Sequence, residues 1–111
     1  MITIPLQQLN CPGSYEIESQ NPARPGAFIV RHDNGVSAFL NRCPHTEAPL
    51  NWQPNQFLDL EQTHILCSLH GALFRSDDGF CISGPCQGQS LTPIPVRVEK
   101  DQIRVEFDSG V

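Results

Sequence analysis

The chain has 111 residues, 39% of them hydrophobic and 17% charged, which is enough to bury one core and too apolar for disorder throughout. Its net charge of −5 argues against nucleic acid and anionic membrane as partners and makes a basic protein surface the natural complement. Ten Pro and eight Gly imply frequent turns, hence short strands rather than long helices.

Taken in chain order, the start MITIPLQQLNCPG has no positive cluster followed by an apolar run, so no signal peptide is expected. No stretch approaches the roughly 20 apolar residues of a membrane span, and the expectation is a soluble cytoplasmic protein. SYEIES at 14–19 alternates polar and apolar residues. AFIVRH at 27–32 is β-rich and runs through the turn signature Asp33-Asn34-Gly35 into a strand at 36–40. Residues 55–62, NQFLDLEQ, are read as a turn of helix. Short strands follow at 64–67 and 72–75, then a turn at Asp77-Asp78-Gly79 and a strand at 80–82. The clearest hairpin closes the chain: 94–99, Lys100-Asp101 at the tip, and 102–107. There is no internal repeat, linker or low-complexity tract. The reading is one all-β domain over 1–111, a small antiparallel sandwich or barrel.

Two mixed pairs stand out against this background. Cys43-Pro44-His45 begins where the 36–40 strand stops, and Cys67-Ser68-Leu69-His70 lies between two short strands. Five Cys in a reducing compartment fit metal binding better than a disulfide framework. A zinc site with two Cys and two His usually pairs like with like, Cys with Cys in one knuckle and His with His on a helix. A single tetrahedral ion would still accept two mixed pairs. Two ions side by side use them more naturally, each loop sending its Cys to one ion and its His to the other, as in a Rieske [2Fe–2S] centre.

The two boxes, Cys43-Pro44-His45 and Cys67-Ser68-Leu69-His70-Gly71, resemble the cluster-binding boxes of Rieske proteins. Pro49-Leu50, Phe74 and Gly79-Phe80-Cys81-Ile82-Ser83-Gly84-Pro85 extend the likeness, which covers roughly residues 27–107. The resemblance implies a Rieske-like fold with both loops at one end and a third loop, at Gly84-Pro85, over the cluster. It assigns Cys43 and Cys67 to the inner iron, and His45 and His70 to the outer one. It also implies one [2Fe–2S] cluster, a flavin-dependent reductase as donor, and an oxygenase or other redox enzyme as acceptor. A redox-competent small subunit of a larger oxidoreductase, such as a nitrite reductase, is the alternative; a zinc-stabilised interaction module is a third.

Two departures place the chain in the low-potential, ferredoxin-like branch. Ala48 and Leu69 occupy the positions where high-potential relatives carry a disulfide between the boxes. Ala72 and Phe74 stand where those relatives have a Ser and a Tyr that donate hydrogen bonds to cluster sulfurs, and each lost donor lowers the potential. Outside the boxes, Cys81 is read as a buried thiol beneath the third loop, Cys11 as incidental, and a Cys81–Cys86 bridge as disfavoured. His32 and His64 are read as polar surface positions. Arg42 and Arg75 flank the boxes, either at a partner or on a solvated face, and Trp52 is read as packing under the first box, with a docking surface as the alternative. Once His45 and His70 serve the cluster, only His32 and His64 remain, and the chain ends about four residues after its last strand. The expectation is an electron carrier rather than an oxygenase.

Overall fold

The computed structural model describes residues 2–9, 11, 13–18, 26–32, 35–44, 50, 55–59, 63–67, 71–84 and 87–107. These form nine short strands: β1 (Ile2–Pro5), β2 (Gly13–Ile17), β3 (Ala27–His32), β4 (Gly35–Leu40), β5 (His64–Leu66), β6 (Leu73–Arg75), β7 (Cys81–Ser83), β8 (Val96–Glu99) and β9 (Gln102–Val105). They pair as three antiparallel sheets of three, in the orders β1-β9-β8, β2-β3-β4 and β5-β6-β7. The all-β expectation holds. Leu6–Gln8 makes one 3-10 turn, and among the described residues no helix is long and apolar enough to cross a membrane.

The β2-β3-β4 sheet lies between two cores because β3 is apolar on both faces. Side chains alternate along a strand, and Ala27, Phe28, Ile29 and Val30 are all buried. Phe28 and Val30 join one cluster, with Phe39, Leu50, Phe57, Ile65, Phe74 and Leu91. Ala27 and Ile29 join the other, with Ile4, Leu9, Ile17, Ile94, Ile103 and Val105. In the first cluster Phe28 stacks on Phe57, ring centroids 4.3 Å apart and planes within 7°. Residues 92–94 run along the outer side of β4, with Leu40 N–H donating to Thr92 O and Ile94 N–H to Ala38 O. That stretch carries the chain from the first core to the second.

Several sequence expectations shift. The strand Ile2–Pro5 was not anticipated; its four residues become a strand by pairing with β9, Ile4 opposite Ile103 and Ile2 opposite Val105. Residues 55–59 are not helical. Leu66 N–H donates to Phe57 O, Asp59 N–H to His64 O, and Leu58 bridges Ile65, so the segment runs beside β5. Extended backbone is what delivers Phe57 to its stack on Phe28. The strands expected at 14–19, 80–82, 94–99 and 102–107 are found as Gly13–Ile17, Cys81–Ser83, Val96–Glu99 and Gln102–Val105. Both described turns form: Gly79 has φ +76°, and Lys100 and Asp101 both lie in the left-handed region, at φ +51° and +63°. Such a two-residue tip matches the twist of its strands. Asp33 and Asn34 lie outside the described residues.

Candidate metal centre

Cys43 and Cys67 sit on different loops, 24 positions apart in sequence, and the fold buries both in the same apolar cluster. Cys43 follows β4 by three residues. The start of its loop is held by Asn41, whose N–H donates to Gly26 O, and by Arg42, whose N–H donates to Leu40 O. Asn41 is itself buried, and its side-chain Oδ1 accepts from Leu50 N–H at 2.8 Å. Cys67 directly follows β5. Its N–H donates to Ala72 O at 2.9 Å, and its carbonyl accepts from Gly71 N–H at 2.9 Å, so the second loop is tied back on itself between 67 and 72. Gly71 is the residue that reverses the chain there, at φ +72°, a conformation costly to any residue with a Cβ.

The third loop leans on the second. Gly84, at φ +101°, is so close to Ala72 that a Cβ added to it would stand 2.7 Å from Ala72 Cα. Behind it Cys81 is fully buried in the same cluster as Cys43 and Cys67, and its thiol donates to Ser83 O at 3.2 Å. Cys81 N–H donates to Gln89 O, which closes the base of the loop. The expectation of a buried thiol beneath this loop is met. Phe74 and Ala72 are both buried here.

Of the four residues expected as ligands, the structure brings Cys43 and Cys67 into one core; His45 and His70 lie outside the described residues, as do Ala48, Trp52, Leu69 and Cys86. His32 and His64 are half-buried and hydrogen-bonded rather than simple surface positions. His32 Nε2 meets Ser37 Oγ at 2.9 Å, and that hydroxyl donates to Asp77 O, so the imidazole is the donor to it. His64 Nδ1 meets Thr63 Oγ1 at 3.0 Å. Both bonds come from short-range or cross-strand geometry that spacing did not reveal. Arg75 is exposed, forks onto Asp78 and lies over the Phe80 ring at 5.2 Å. The hydrogen bond from Arg75 holds the Asp78 carboxyl below the usual carboxylate range, and Asp78 in turn raises the Arg75 guanidinium. Sequence reasoning missed Asn41. A polar residue two positions before Cys43 was the available signal.

A buried thiolate is tolerated only opposite a cation, and Cys43, Cys67 and Cys81 share one buried cluster. The fold is a small all-β domain with these three cysteines buried in one core. The sequence model of the Rieske [2Fe-2S] domain family matches residues 8–100, and the chain belongs to that family. The family's cofactor is one [2Fe–2S] cluster. Two Rieske 2Fe-2S iron-sulfur proteins of Mycobacterium tuberculosis, from strains H37Rv and CDC 1551, are each 38% identical over 64 positions. The match takes in 52% of this chain and 12% of theirs, so the chain spans about an eighth of the length of these curated relatives.

Among solved structures, the ferredoxin of carbazole 1,9a-dioxygenase from Nocardioides aromaticivorans IC177 superposes with a TM-score of 0.72 and 25% identity. That likeness covers 95% of this chain and 94% of that one. The terminal oxygenase of the carbazole 1,9a-dioxygenase from Novosphingobium sp. KA1 shares the fold over 93% of this chain and 28% of its own, at 20% identity and TM-score 0.72.

Proposed function

We propose that the chain is a one-electron carrier in which Cys43 and Cys67 hold the inner iron of the cluster, and His45 and His70 the outer one. The observation that supports this reading is the burial of Cys43 and Cys67, from separate loops, in one core cluster. The bound group supplies reversible uptake of a single electron. The protein's part is to hold two thiolates out of water, to present two neutral imidazoles on the same loops, and to set the electron affinity through what surrounds the sulfurs. No substrate-binding chemistry is required of it.

The end-to-end likeness to a ferredoxin, rather than to part of a larger enzyme alone, supports a carrier. One of the other matching structures is a complex of a reduced oxygenase with an oxidized ferredoxin. On this reading the acceptor is an oxygenase, the donor is a flavin-dependent reductase, and the compartment is the cytoplasm. A second reading, a redox module within a larger oxidoreductase, draws on the relatives and oxygenases of which this chain matches only 12% and 28%. Size-exclusion chromatography of protein captured from its native source separates the two: a carrier elutes alone, a subunit with a permanent partner.

The test of the metal centre is direct. Protein purified without oxygen is expected to be red-brown, with two irons and two acid-labile sulfides per chain and, when reduced, a paramagnetic signal averaging near g of about 1.9. Cys43→Ser and Cys67→Ser abolish assembly, and His45→Ala and His70→Ala lose the cluster, whereas Cys11→Ser, Cys81→Ser and Cys86→Ser keep their iron. Stoichiometric zinc without sulfide, or full iron in His70→Ala, overturns the assignment.

A further inference from the structure

The first ligand loop is closed by a side chain that lies outside both Cys/His boxes. Asn41 is 5% exposed, and its Oδ1 accepts the Leu50 N–H at 2.8 Å across a span of nine residues that contains Cys43. Leu50 is fully buried, so its N–H has no access to water once that acceptor is removed. The backbone of Asn41 is anchored as well, its N–H donating to Gly26 O at the entrance to β3. One residue therefore joins the end of β4, the approach to β3 and the far end of the loop that carries Cys43. The chemistry of the side chain matters as much as its reach. An amide accepts this bond while remaining neutral, whereas a carboxylate in the same place accepts it and adds a buried negative charge two residues from Cys43.

Resting on the Rieske reading above, we propose that Asn41 is a positioning residue for the metal centre. It ties Leu50 to the end of β4, two residues before Cys43, and, being neutral, leaves the electron affinity of the centre undiminished.

The test compares wild-type protein with Asn41→Ala and Asn41→Asp, each carried through iron and sulfide analysis, chelator challenge, paramagnetic spectroscopy and redox titration. Wild-type protein without two irons and two sulfides overturns the functional reading and this proposal together; wild-type protein that has them isolates the role of Asn41. Asn41→Ala, which deletes the acceptor, is expected to yield iron to a chelator about tenfold faster and to show altered g values. Asn41→Asp keeps the acceptor, so its iron loss stays near the wild-type rate. Its midpoint falls by at least about 30 mV, a threefold change in a one-electron equilibrium.

A side chain that serves the fold alone would lower the melting temperature of Asn41→Ala and leave g values and midpoint where they were, and that result overturns the proposal. So does an Asn41→Asp protein that loses iron as fast as Asn41→Ala. Should Asn41→Ala fail to fold, Asn41→Asp decides: a wild-type midpoint in that variant overturns the proposal, and a lowered midpoint with the iron retained supports it.

Discussion

Ala72 and Phe74 are small or apolar where hydroxyl donors would raise the potential, and both are buried against the loop that carries Cys67. A wild-type midpoint near the bottom of the Rieske range, about −150 mV, is expected. Ala72→Ser and Phe74→Tyr each add a donor. A charge-assisted bond that favours the reduced form by roughly 1.5 kcal/mol shifts a one-electron couple by about +60 mV. Redox titration checks the sign, and a midpoint unmoved in both variants removes these positions from the account. Gly84 tests the third loop on different grounds. Gly84→Ala places a Cβ 2.7 Å from Ala72 Cα at φ +101°, so a loss of about 2 kcal/mol or more is expected, read as a lower urea midpoint with an unchanged slope.

The Arg75–Asp78 pair bears on acid stability. Its carboxyl is lowered in the folded state below the reference value of 3.8. The stabilisation is therefore present above that reference value and is lost as pH falls through the lowered one. Asp78→Asn should flatten the acid limb of the stability profile below about pH 4. The pair is exposed, so the effect is small.

At the scale of elements, β3 is the strand on which both cores depend. Phe28→Ala removes the ring stacked on Phe57 and is expected to cost about 3–5 kcal/mol, measured by denaturant unfolding. Its neighbour Ile29 faces the opposite core, so Ile29→Ala should cost about 2–5 kcal/mol by a separate route. The β8–β9 hairpin can instead be improved. Lys100 and Asp101 both hold left-handed backbone, a conformation that Asn-Gly adopts with less strain. The double replacement Lys100→Asn, Asp101→Gly should stabilise by about 1 kcal/mol. An unchanged melting temperature would show that the tip carries no strain worth relieving.

For the molecule as a whole, net charge and metal content set the behaviour. With a charge of −5, and if the partner proposed above presents a basic surface, association should weaken steeply as ionic strength rises from about 50 to 300 mM, chiefly through slower association. If Cys43 and Cys67 hold the inner iron as proposed, protein refolded after iron removal buries both thiols without the cation that offsets their charge. The apo form should then melt at a lower temperature and regain its stability on reconstitution.

The two Cys/His boxes, the hairpin at the end of the chain and the all-β class were legible in the linear order of residues, because each is a local pattern: a ligand spacing, a turn dipeptide, an alternation of period two. What local order leaves open is which distant segment answers each pattern. Ile2–Pro5 is a strand only because β9 arrives beside it about a hundred residues later, and Phe57 and Leu58 run beside β5 rather than in a helix because Phe57 finds Phe28. The same holds at the metal centre. Cys43 and Cys67 stand out as candidate ligands by spacing, since ligand chemistry is written in short motifs, and the structure adds that one core buries both. Asn41, Gly84 and Cys81 acquire their roles from contacts with Leu50, Ala72 and Ser83. Asn41 reaches nine residues ahead and Gly84 presses on a neighbouring loop, and no local periodicity records either contact. Tertiary packing decided them, because a hydrogen bond or a close approach exists only once the backbone has brought its two ends together.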